Sequence, residues 1–496
     1  MSDQPQTTTI RALPAPTDTD DRLPAVLTRL VWLLWFASAG ILVVYAITGT
    51  PPSGSGILRI DGLTVVMWLT VTFFSGIVHS YSRRYMAGTR QRNRFFGRVF
   101  AFTLTVMLLV AADHFLLFVG AWLGMGVIMA RLIGHLERWP QARIAGRLAR
   151  RYFFASSALL AIACLMLWSQ TGITTVSAVP SAVMTLSTPM LLGISGALVL
   201  AAMAQSALIP FHTWLLASMT APTPASALMH AGFVNAGGIL LARFASIVTV
   251  VPGVMLAIVL IGATSALVGK LLKSVQVDAK LRLGCSTTGQ MGFMLMQAGL
   301  GYFAAAITHL ILHGCYKAYL FLSVGEEIAH TSPTESTHPT GGLSAGGLVV
   351  TAVTAIAGGL LFAVLTGKGV RLDSGLLLTG LIVVTTLHAT QSALRARMLP
   401  ARYRYAALPL VFLPAIAIYA GVYTAVGQLM ADLPVLTAPT TLTAVHGVVA
   451  LAFFGVYLAI ETGVYRHSTR LYVALVNATR PPAQTLLTAP EEYHES

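Results

Sequence analysis

Long apolar stretches with almost no charge recur along the whole of this 496-residue chain, and they constrain its fold more than any other feature. A helix that crosses a lipid bilayer needs about 20 predominantly apolar residues, and it satisfies its backbone hydrogen bonds internally. Hydrophobic residues make up 56% of the chain and charged residues only 10%, whereas a soluble domain carries about 25% charged residues. The sequence therefore predicts an integral membrane protein.

About fourteen of these stretches have the length of a membrane-spanning helix. They lie near residues 24–48, 61–82, 95–111, 113–134, 152–169, 187–209, 223–248, 253–273, 283–300, 302–324, 345–366, 374–394, 405–427 and 440–464. We therefore expect an all-α polytopic membrane protein with about fourteen transmembrane helices.

The positive charges indicate how the helices are oriented. The formal net charge is +14, but Lys and Arg are grouped in connections between apolar stretches, which argues against nucleic-acid binding. The basic segments are residues 83–98, 131–151, 273–282, 395–404 and the tail after residue 465. With the predicted spans all five lie on one side, and an excess of Lys and Arg marks the cytoplasmic side. We expect both termini there, in a disordered tail over residues 1–23 and a second tail over residues 466–496.

Two apolar stretches are too long for one straight helix. The first, about residues 187–219, contains Pro210, which removes a backbone donor. The second, about residues 343–368, contains two pairs of glycines, Gly346-Gly347 and Gly358-Gly359. Broken helices in corresponding positions of two halves indicate an ion site in an inverted-repeat transporter. We predict N-terminal helices over 24–94, inverted repeats of five helices over 95–250 and 253–396, and C-terminal helices over 397–465.

Ionisable residues inside the spans are the candidates for function, because each costs roughly 2.5–3.5 kcal/mol near the bilayer centre. His309, His313 and Lys317 recur every fourth residue and so share one helix face. Linked by water, they can pass a proton, since histidine titrates near neutrality. A His-x-x-x-His pair can also bind a metal, but no further ligand is near in the sequence and the three cysteines are far apart. We expect no metal site.

Further ionisable residues lie in or next to the spans. They are His230, Lys270, Lys273, Lys368, His388, His446 and Glu461. Each also has a structural interpretation: a lysine or glutamate near a helix end can reach the membrane interface, and a single buried histidine can join two helices by a hydrogen bond. The pattern alone leaves both interpretations open for these residues.

Several motifs are shared with a known family. They are Pro210-Phe211-His212-Thr213-Trp214-Leu215, the segment 221–231 (Ala-Pro-Thr-Pro-Ala-Ser-Ala-Leu-Met-His-Ala), Asp278-Ala279-Lys280 followed by Ser286-Thr287 and Gln290-Met291-Gly292, and the run from His309 through His313 to Lys317. Over about residues 60–400 the chain resembles the antiporter-like, proton-translocating membrane subunits of respiratory complex I and of Mrp sodium/proton antiporters. The resemblance implies two inverted five-helix repeats, each with a broken helix and a half-channel.

The resemblance also implies roles for the candidate residues. His309 and His313 would relay protons, and Lys317 would be the switching charge. Lys270 or Lys273 would tune Lys317, His230 would connect the two halves, and Lys368 aligns loosely with the exit lysine of the family. Two positions depart from the family pattern, in which a Glu and a Lys form an ion pair in the first repeat. The Glu position holds Leu123 and the Lys position holds Gln205. Losing both charges leaves a neutral site, so we expect an altered first half-channel.

The chain is also shorter than the complex I subunit, and it resembles the DabB family, the membrane subunits of two-component DAB inorganic-carbon accumulation complexes. This implies a bacterial inner (plasma) membrane protein in which flow of H⁺ or Na⁺ drives CO₂ hydration to bicarbonate. The partner would be a large soluble DabA-like protein with a carbonic-anhydrase-like zinc site. We expect no enzymatic activity and no cofactor in this chain. The alternatives are an Mrp-type antiporter subunit, a subunit of a redox-driven complex, and a membrane anchor that conducts nothing.

Overall fold

The structure is a computed structural model that describes residues 21–50, 54, 56–330, 345–395 and 401–482. Within these ranges the secondary structure consists of helices, short 3₁₀ turns and isolated β-bridges such as that between His114 and Thr175. The predicted all-α class is therefore confirmed. Most of the predicted N-terminal tail lies outside the described residues.

The described residues form twenty α-helices. They are α1 Arg22–Thr48, α2 Gly62–Tyr85, α3 Arg92–Ala111, α4 Phe115–Ile133, α5 Pro140–Thr171, α6 Val179–Ala182, α7 Thr188–Gln205, α8 Thr213–Ala217, α9 Thr223–Ala231, α10 Ala236–Arg243, α11 Ala245–Val248, α12 Pro252–Val275, α13 Ala279–Gly299, α14 Phe303–His330, α15 Ala345–Thr366, α16 Ser374–Arg395, α17 Ala401–Leu429, α18 Ala444–Thr462, α19 Val464–His467 and α20 Thr469–Ala478.

Among the described residues, 12 helical segments are long and apolar enough to cross a membrane. They match the predicted spans, with α9 and α10 together forming one of them. The helices α13 and α14 lie at the two remaining predicted spans, and α13 is less apolar because it carries groups such as Thr287 and Gln290. Twelve of the about fourteen predicted spans are therefore confirmed, and the other two predicted spans are occupied by the helices α13 and α14.

Glycines bring α12 and α13 into close contact. A Cβ atom on Gly292 of α13 would lie 2.5 Å from the backbone nitrogen of Ala266 on α12, and one on Gly262 would lie 2.5 Å from that of Met296. Small residues allow helices in a membrane to pack at such short separations. This packing fixes the position of α13, whose first turns contact the polar residues of α9 and α14.

The first predicted helix break is present. The helix α7 ends at Gln205, and the chain resumes as α8 at Thr213, so the break begins a few residues before Pro210. Hydrogen bonds tie the break to two other helices. Ser265 Oγ of α12 accepts from the backbone nitrogen of Ile209 in the break at 3.2 Å, and Ser206 Oγ in the break accepts from the backbone nitrogen of Gly237 in α10 at 3.1 Å. Such contacts let non-helical backbone exist at membrane depth.

The second interruption lies at the end of a helix. The helix α15 is continuous from Ala345 to Thr366, and the chain then turns through Gly367 and Gly369, both with positive φ. Gly358 and Gly359 do not break α15; they provide space for side chains of α17 and α16, where Ile416 and Val383 approach most closely. The expected interruption by the glycine pairs is therefore not observed, because close helix packing explains those glycines.

The predicted C-terminal tail contains ordered structure. Residues after 465 form the end of α19 and the amphipathic helix α20. Leu475 of α20 is buried in a cluster with Leu216 of α8 and Leu272 of α12. The helix α20 therefore covers the end of the bundle at which α8 and α12 meet.

Candidate functional site

The side chains His309, His313 and Lys317 lie along one face of α14. The two imidazole rings are stacked, with their centroids 5.6 Å apart and an angle of 11° between their planes. His313 is 6% exposed and Lys317 is fully buried. The structure thus places the three groups in one line, as their spacing predicts.

Lys317 is held by the first turns of α13. Its Nζ donates to the carbonyl oxygen of Leu283 at 3.0 Å. Asp278 begins this helix, and its carboxylate accepts from the backbone nitrogen of Leu281 at 2.7 Å. Among the described ion pairs none involves Lys317. A buried ammonium without a counterion responds strongly to nearby charges, because the protein interior screens them weakly.

His230 of α9 contacts both α13 and α14. Its Nδ1 lies 2.9 Å from the hydroxyl of Thr287 on α13, and its ring stacks on Phe321 of α14 with the centroids 4.3 Å apart. The Nε2 atoms of His230, His309 and His313 are all buried without a hydrogen-bond partner among the described residues. Buried polar atoms are normally hydrogen-bonded, so these three nitrogens are positions at which water or a proton can bind.

Lys280 belongs to the family motif Asp278-Ala279-Lys280 but was not among the predicted proton-path residues. Its Nζ donates to the carbonyl oxygens of Ala221 and Met219, at 3.2 and 3.4 Å. Both carbonyls lie just before α9, the helix that carries His230. Its place in the Asp278-Ala279-Lys280 motif was the signal that could have identified it.

A cavity of about 350 Å³ lies beside α14, between α12, α13, α16, α17 and α18. Lys270, Lys273 and His309 line it, together with polar groups such as Ser286 and Gln290. The cavity therefore brings the two lysines of α12 to the same space as one end of the histidine line. A direct contact between either lysine and Lys317 is not among the described hydrogen bonds.

Lys270 begins a hydrogen-bonded chain that the sequence did not predict. Its Nζ lies 2.9 Å from Nε2 of His388, and Nδ1 of His388 lies 2.7 Å from Oε1 of Glu461. The sequence left His388 and Glu461 open to a structural interpretation. Lys270 and His388 are 118 residues apart along the chain, and His388 and Glu461 are 73 residues apart. No local sequence pattern could therefore have predicted these contacts.

Lys368 lies apart from this line. It follows α15, in the turn before α16, and its Nζ lies 4.6 Å from the ring centroid of Tyr302. That arrangement is a cation–π contact. The structure therefore brings together His230, Lys317, His313, His309, Lys270 and Lys273 but not Lys368.

The corresponding place in the first half is neutral. Gln205 is fully buried at the end of α7, and neither atom of its amide has a hydrogen-bond partner among the described residues. Leu123 is half-buried on α4. Next to it, Trp122 Nε1 donates to Ser156 Oγ at 3.1 Å, and this hydroxyl donates to the carbonyl oxygen of Ala201 at 2.9 Å. Polar contacts without an ion pair therefore occupy this region.

An ion pair lies elsewhere in the first half, and the sequence did not predict it. Arg243, the last residue of α10, pairs with Asp61, which precedes α2; their side chains are 8% and 4% exposed. The guanidinium also donates to Thr64 Oγ1 at 2.8 Å. This buried pair holds α10 against the start of α2.

Two family descriptions match this sequence. The family described as "NADH:quinone oxidoreductase/Mrp antiporter, TM" matches residues 112–396, which is more than half of the chain. The family described as "NADH-Ubiquinone oxidoreductase (complex I), chain 5 N-terminus" matches residues 57–96. The matched residues contain the whole histidine and lysine line described above.

The similar proteins include subunits described as inorganic carbon transporters and a subunit of an NADH-quinone oxidoreductase. "Probable inorganic carbon transporter subunit DabB1" of Halothiobacillus neapolitanus is 38% identical over 300 residues, 58% of this chain and 54% of that protein. "Probable inorganic carbon transporter subunit DabB" of Bacillus subtilis is 38% identical over 307 residues, 60% of this chain and 57% of that protein. "NADH-quinone oxidoreductase subunit L" of Mycobacterium tuberculosis is 35% identical over 291 residues, 58% of this chain and 46% of that protein. The chain spans about half the length of the curated relatives it matches.

A solved structure shares the fold. The Mrp complex from Dietzia sp. DQ12-45-1b aligns with a TM-score of 0.56 at 24% identity, covering 95% of this chain and 51% of the chain in that complex. This likeness confirms the expected antiporter-like arrangement of helices.

Proposed function

The chain belongs to the NADH:quinone oxidoreductase/Mrp antiporter family, and from this premise we propose that it is the proton-conducting membrane subunit of an energy-coupled complex that accumulates inorganic carbon. It is a multi-pass membrane protein; its location in a bacterial inner membrane, with both termini in the cytoplasm, is part of the proposal. The observation that supports conduction most directly is the line His309–His313–Lys317, in which His313 and Lys317 are buried.

The proton path would run through the second half of the chain. His230 lies at one end of the line, beside Lys317 on α14, and the cavity with Lys270 and Lys273 lies at the other end, beside His309. Each histidine in the line has a buried Nε2 that can take up a proton from water. Lys317 would be the switching charge, because among the described residues its ammonium has one neutral acceptor and no counterion. Lys368 would act separately from this line, near Tyr302.

The membrane potential would supply the energy. Moving one elementary charge across it yields about 2.3 kcal/mol per 100 mV. Leu123 and Gln205 are neutral residues at the positions where the family has an ion pair. This supports a subunit with a simpler ion path than an antiporter that couples two charged half-channels. The DabB relatives, described as subunits of probable inorganic carbon transporters, support the carbon assignment.

The chemistry on carbon would take place in a partner. We assign CO₂ hydration to a large soluble protein with a carbonic-anhydrase-like zinc site, docked at the cytoplasmic side. The membrane subunit would couple H⁺ flow, or Na⁺ flow, to one direction of that reaction. In this assignment the chain itself carries out no catalysis.

A second candidate is a subunit of an Mrp-type antiporter or of a redox-driven complex. It is favoured by the 35% identity to an NADH-quinone oxidoreductase subunit and by the shared fold with an Mrp complex. The neutral Leu123 and Gln205 positions weigh against it. A third candidate is a membrane anchor, which would leave the buried groups of α14 without a purpose.

The proposal is tested by growth of a carbonic-anhydrase-deficient bacterium in ambient air. The chain is expressed with the product of its neighbouring gene, as the native sequence and as Lys317→Ala, with and without a protonophore. We expect rescue that needs both genes and that is lost with the protonophore or in Lys317→Ala. His446→Gln is the matched control, because His446 is a buried histidine that bonds to Thr443 at the start of α18, outside the path.

The other outcomes separate the candidates. Rescue that survives both the protonophore and Lys317→Ala would favour the anchor and contradict conduction. If both proteins are made and no rescue occurs, the carbon assignment is wrong and the antiporter candidate takes its place.

A further inference from the structure

Lys270, His388 and Glu461 belong to three helices and form one chain of hydrogen bonds. Lys270 is on α12, His388 on α16 and Glu461 on α18. The two contacts measure 2.9 and 2.7 Å, which are ordinary lengths for hydrogen bonds that involve charged groups. All three residues lie in the C-terminal half of their helices, so the chain of hydrogen bonds lies toward the end of the bundle that carries Lys273.

The chemistry of the two end groups gives this chain a direction. A lysine ammonium can only donate hydrogen bonds, and a carboxylate can only accept them. The neutral imidazole that satisfies both neighbours accepts from Lys270 at Nε2 and donates to Glu461 from Nδ1. The network is therefore aligned as a donor–acceptor series from the lysine to the glutamate.

The series connects the cavity to a buried carboxylate near the end of α18. Lys270 and His388 line the cavity that His309 also lines. The side chain of His388 is 29% exposed, whereas that of Glu461 is 9% exposed. The helix α18 lies outside both five-helix repeats, so this contact extends the polar path into the C-terminal helices.

A purely structural role does not explain the choice of residues. Two helices in a membrane can be joined by neutral hydroxyl or amide side chains. Three adjacent ionisable groups cost more to bury than such neutral groups. A lysine, a histidine and a glutamate in series are instead the groups that exchange protons most readily.

We propose that Lys270, His388 and Glu461 form a lateral outlet through which protons pass between the cavity and the end of α18. In one transfer, the Lys270 ammonium gives a proton to Nε2 of His388, while Nδ1 of His388 gives its proton to Glu461. The products are a neutral amine, an imidazole with its proton on Nε2, and a carboxylic acid. This proposal rests on the proposed proton conduction, and it specifies the route that protons take at the cavity end of the path.

The test is proton uptake into proteoliposomes that contain the full chain, driven by an imposed membrane potential and followed with an internal pH dye. His388→Gln is the decisive variant, because glutamine can both donate and accept hydrogen bonds but cannot pass a proton. We expect proton flux to fall by at least about tenfold in His388→Gln and in Glu461→Gln, since the loss of a proton-transferring group has effects of this order or larger. Flux should be unchanged in His446→Gln.

A second measurement distinguishes proton transfer from structural support. Infrared difference spectra, recorded while the potential is applied, should show the carbonyl stretch of a protonated carboxylic acid, and this band should be absent in Glu461→Gln. Native flux in His388→Gln, or no change in that band in Glu461→Gln, would overturn the outlet.

The outcomes also separate the outlet from the proposed function. If Lys317→Ala abolishes flux while His388→Gln conducts normally, the conduction proposal stands and the outlet is wrong. If the native chain conducts no protons in this assay, both fail.

Discussion

Removing one charge of the Arg243–Asp61 pair tests whether this buried contact stabilises the first half of the protein. The two side chains are 8% and 4% exposed, so water replaces a lost partner poorly. Breaking such a pair from one side costs about 3–5 kcal/mol, because an uncompensated charge stays buried. Asp61→Asn is the suitable change, because Asp61 also caps α2 by accepting from Thr64 N at 2.9 Å, and asparagine keeps that cap.

The full experiment is a double-mutant cycle. We expect Asp61→Asn and Arg243→Met each to lower the free energy of unfolding by about 3–5 kcal/mol. The double variant leaves no unpaired charge, so it should lose clearly less than the sum of the two single losses. The measurement is unfolding of the purified chain by SDS in mixed micelles, followed by circular dichroism.

An exposed ion pair provides the control. Arg83 and Asp21 lie 2.7 Å apart, but their side chains are 44% and 46% exposed, and such pairs contribute about 0.2–1 kcal/mol. Arg83→Gln should therefore cost no more than about 1 kcal/mol. The argument from burial would be refuted if Asp61→Asn cost as little as Arg83→Gln, or if the losses in the cycle were additive.

Two further predictions follow from the packing and from the altered first half. Gly292→Leu should lower the free energy of unfolding by about 1–3 kcal/mol or more, because its Cβ would meet the backbone of α12 at 2.5 Å; native stability in the same SDS titration would contradict this close contact. Gln205→Lys alone should destabilise the protein by about 3 kcal/mol or more, and adding Leu123→Glu should recover part of that loss. No recovery in the double variant would show that the two positions do not face each other.

The local features of this protein could be predicted from its sequence. Composition alone decides that lipid is the solvent, and the length of each apolar stretch decides where a helix can span. The spacing of His309, His313 and Lys317 determines that they share a face, because the geometry of a helix is the same wherever it packs. Pro210 likewise predicts a break, since proline lacks a backbone N–H and its ring clashes with the preceding helical turn, whatever the helix packs against.

Glycines could not be interpreted from the sequence with the same success. Gly358 and Gly359 were expected to interrupt a helix, yet α15 is continuous through them. A glycine inside an apolar stretch either breaks a helix or allows a neighbour to approach, and the sequence does not distinguish these two uses. Only the positions of α16 and α17 decide between them.

The contacts that join distant segments were decided by the tertiary structure alone. The pair Arg243–Asp61 spans 182 residues, and the contact between Lys270 and His388 spans 118. Sequence identifies each of these groups as costly to bury, but it does not state which group compensates which. Which groups pair depends on how the helices pack against one another: α10 against α2 for Arg243 and Asp61, and α12 against α16 for Lys270 and His388. A hydrogen bond forms only within about 3 Å, and helix packing sets these distances.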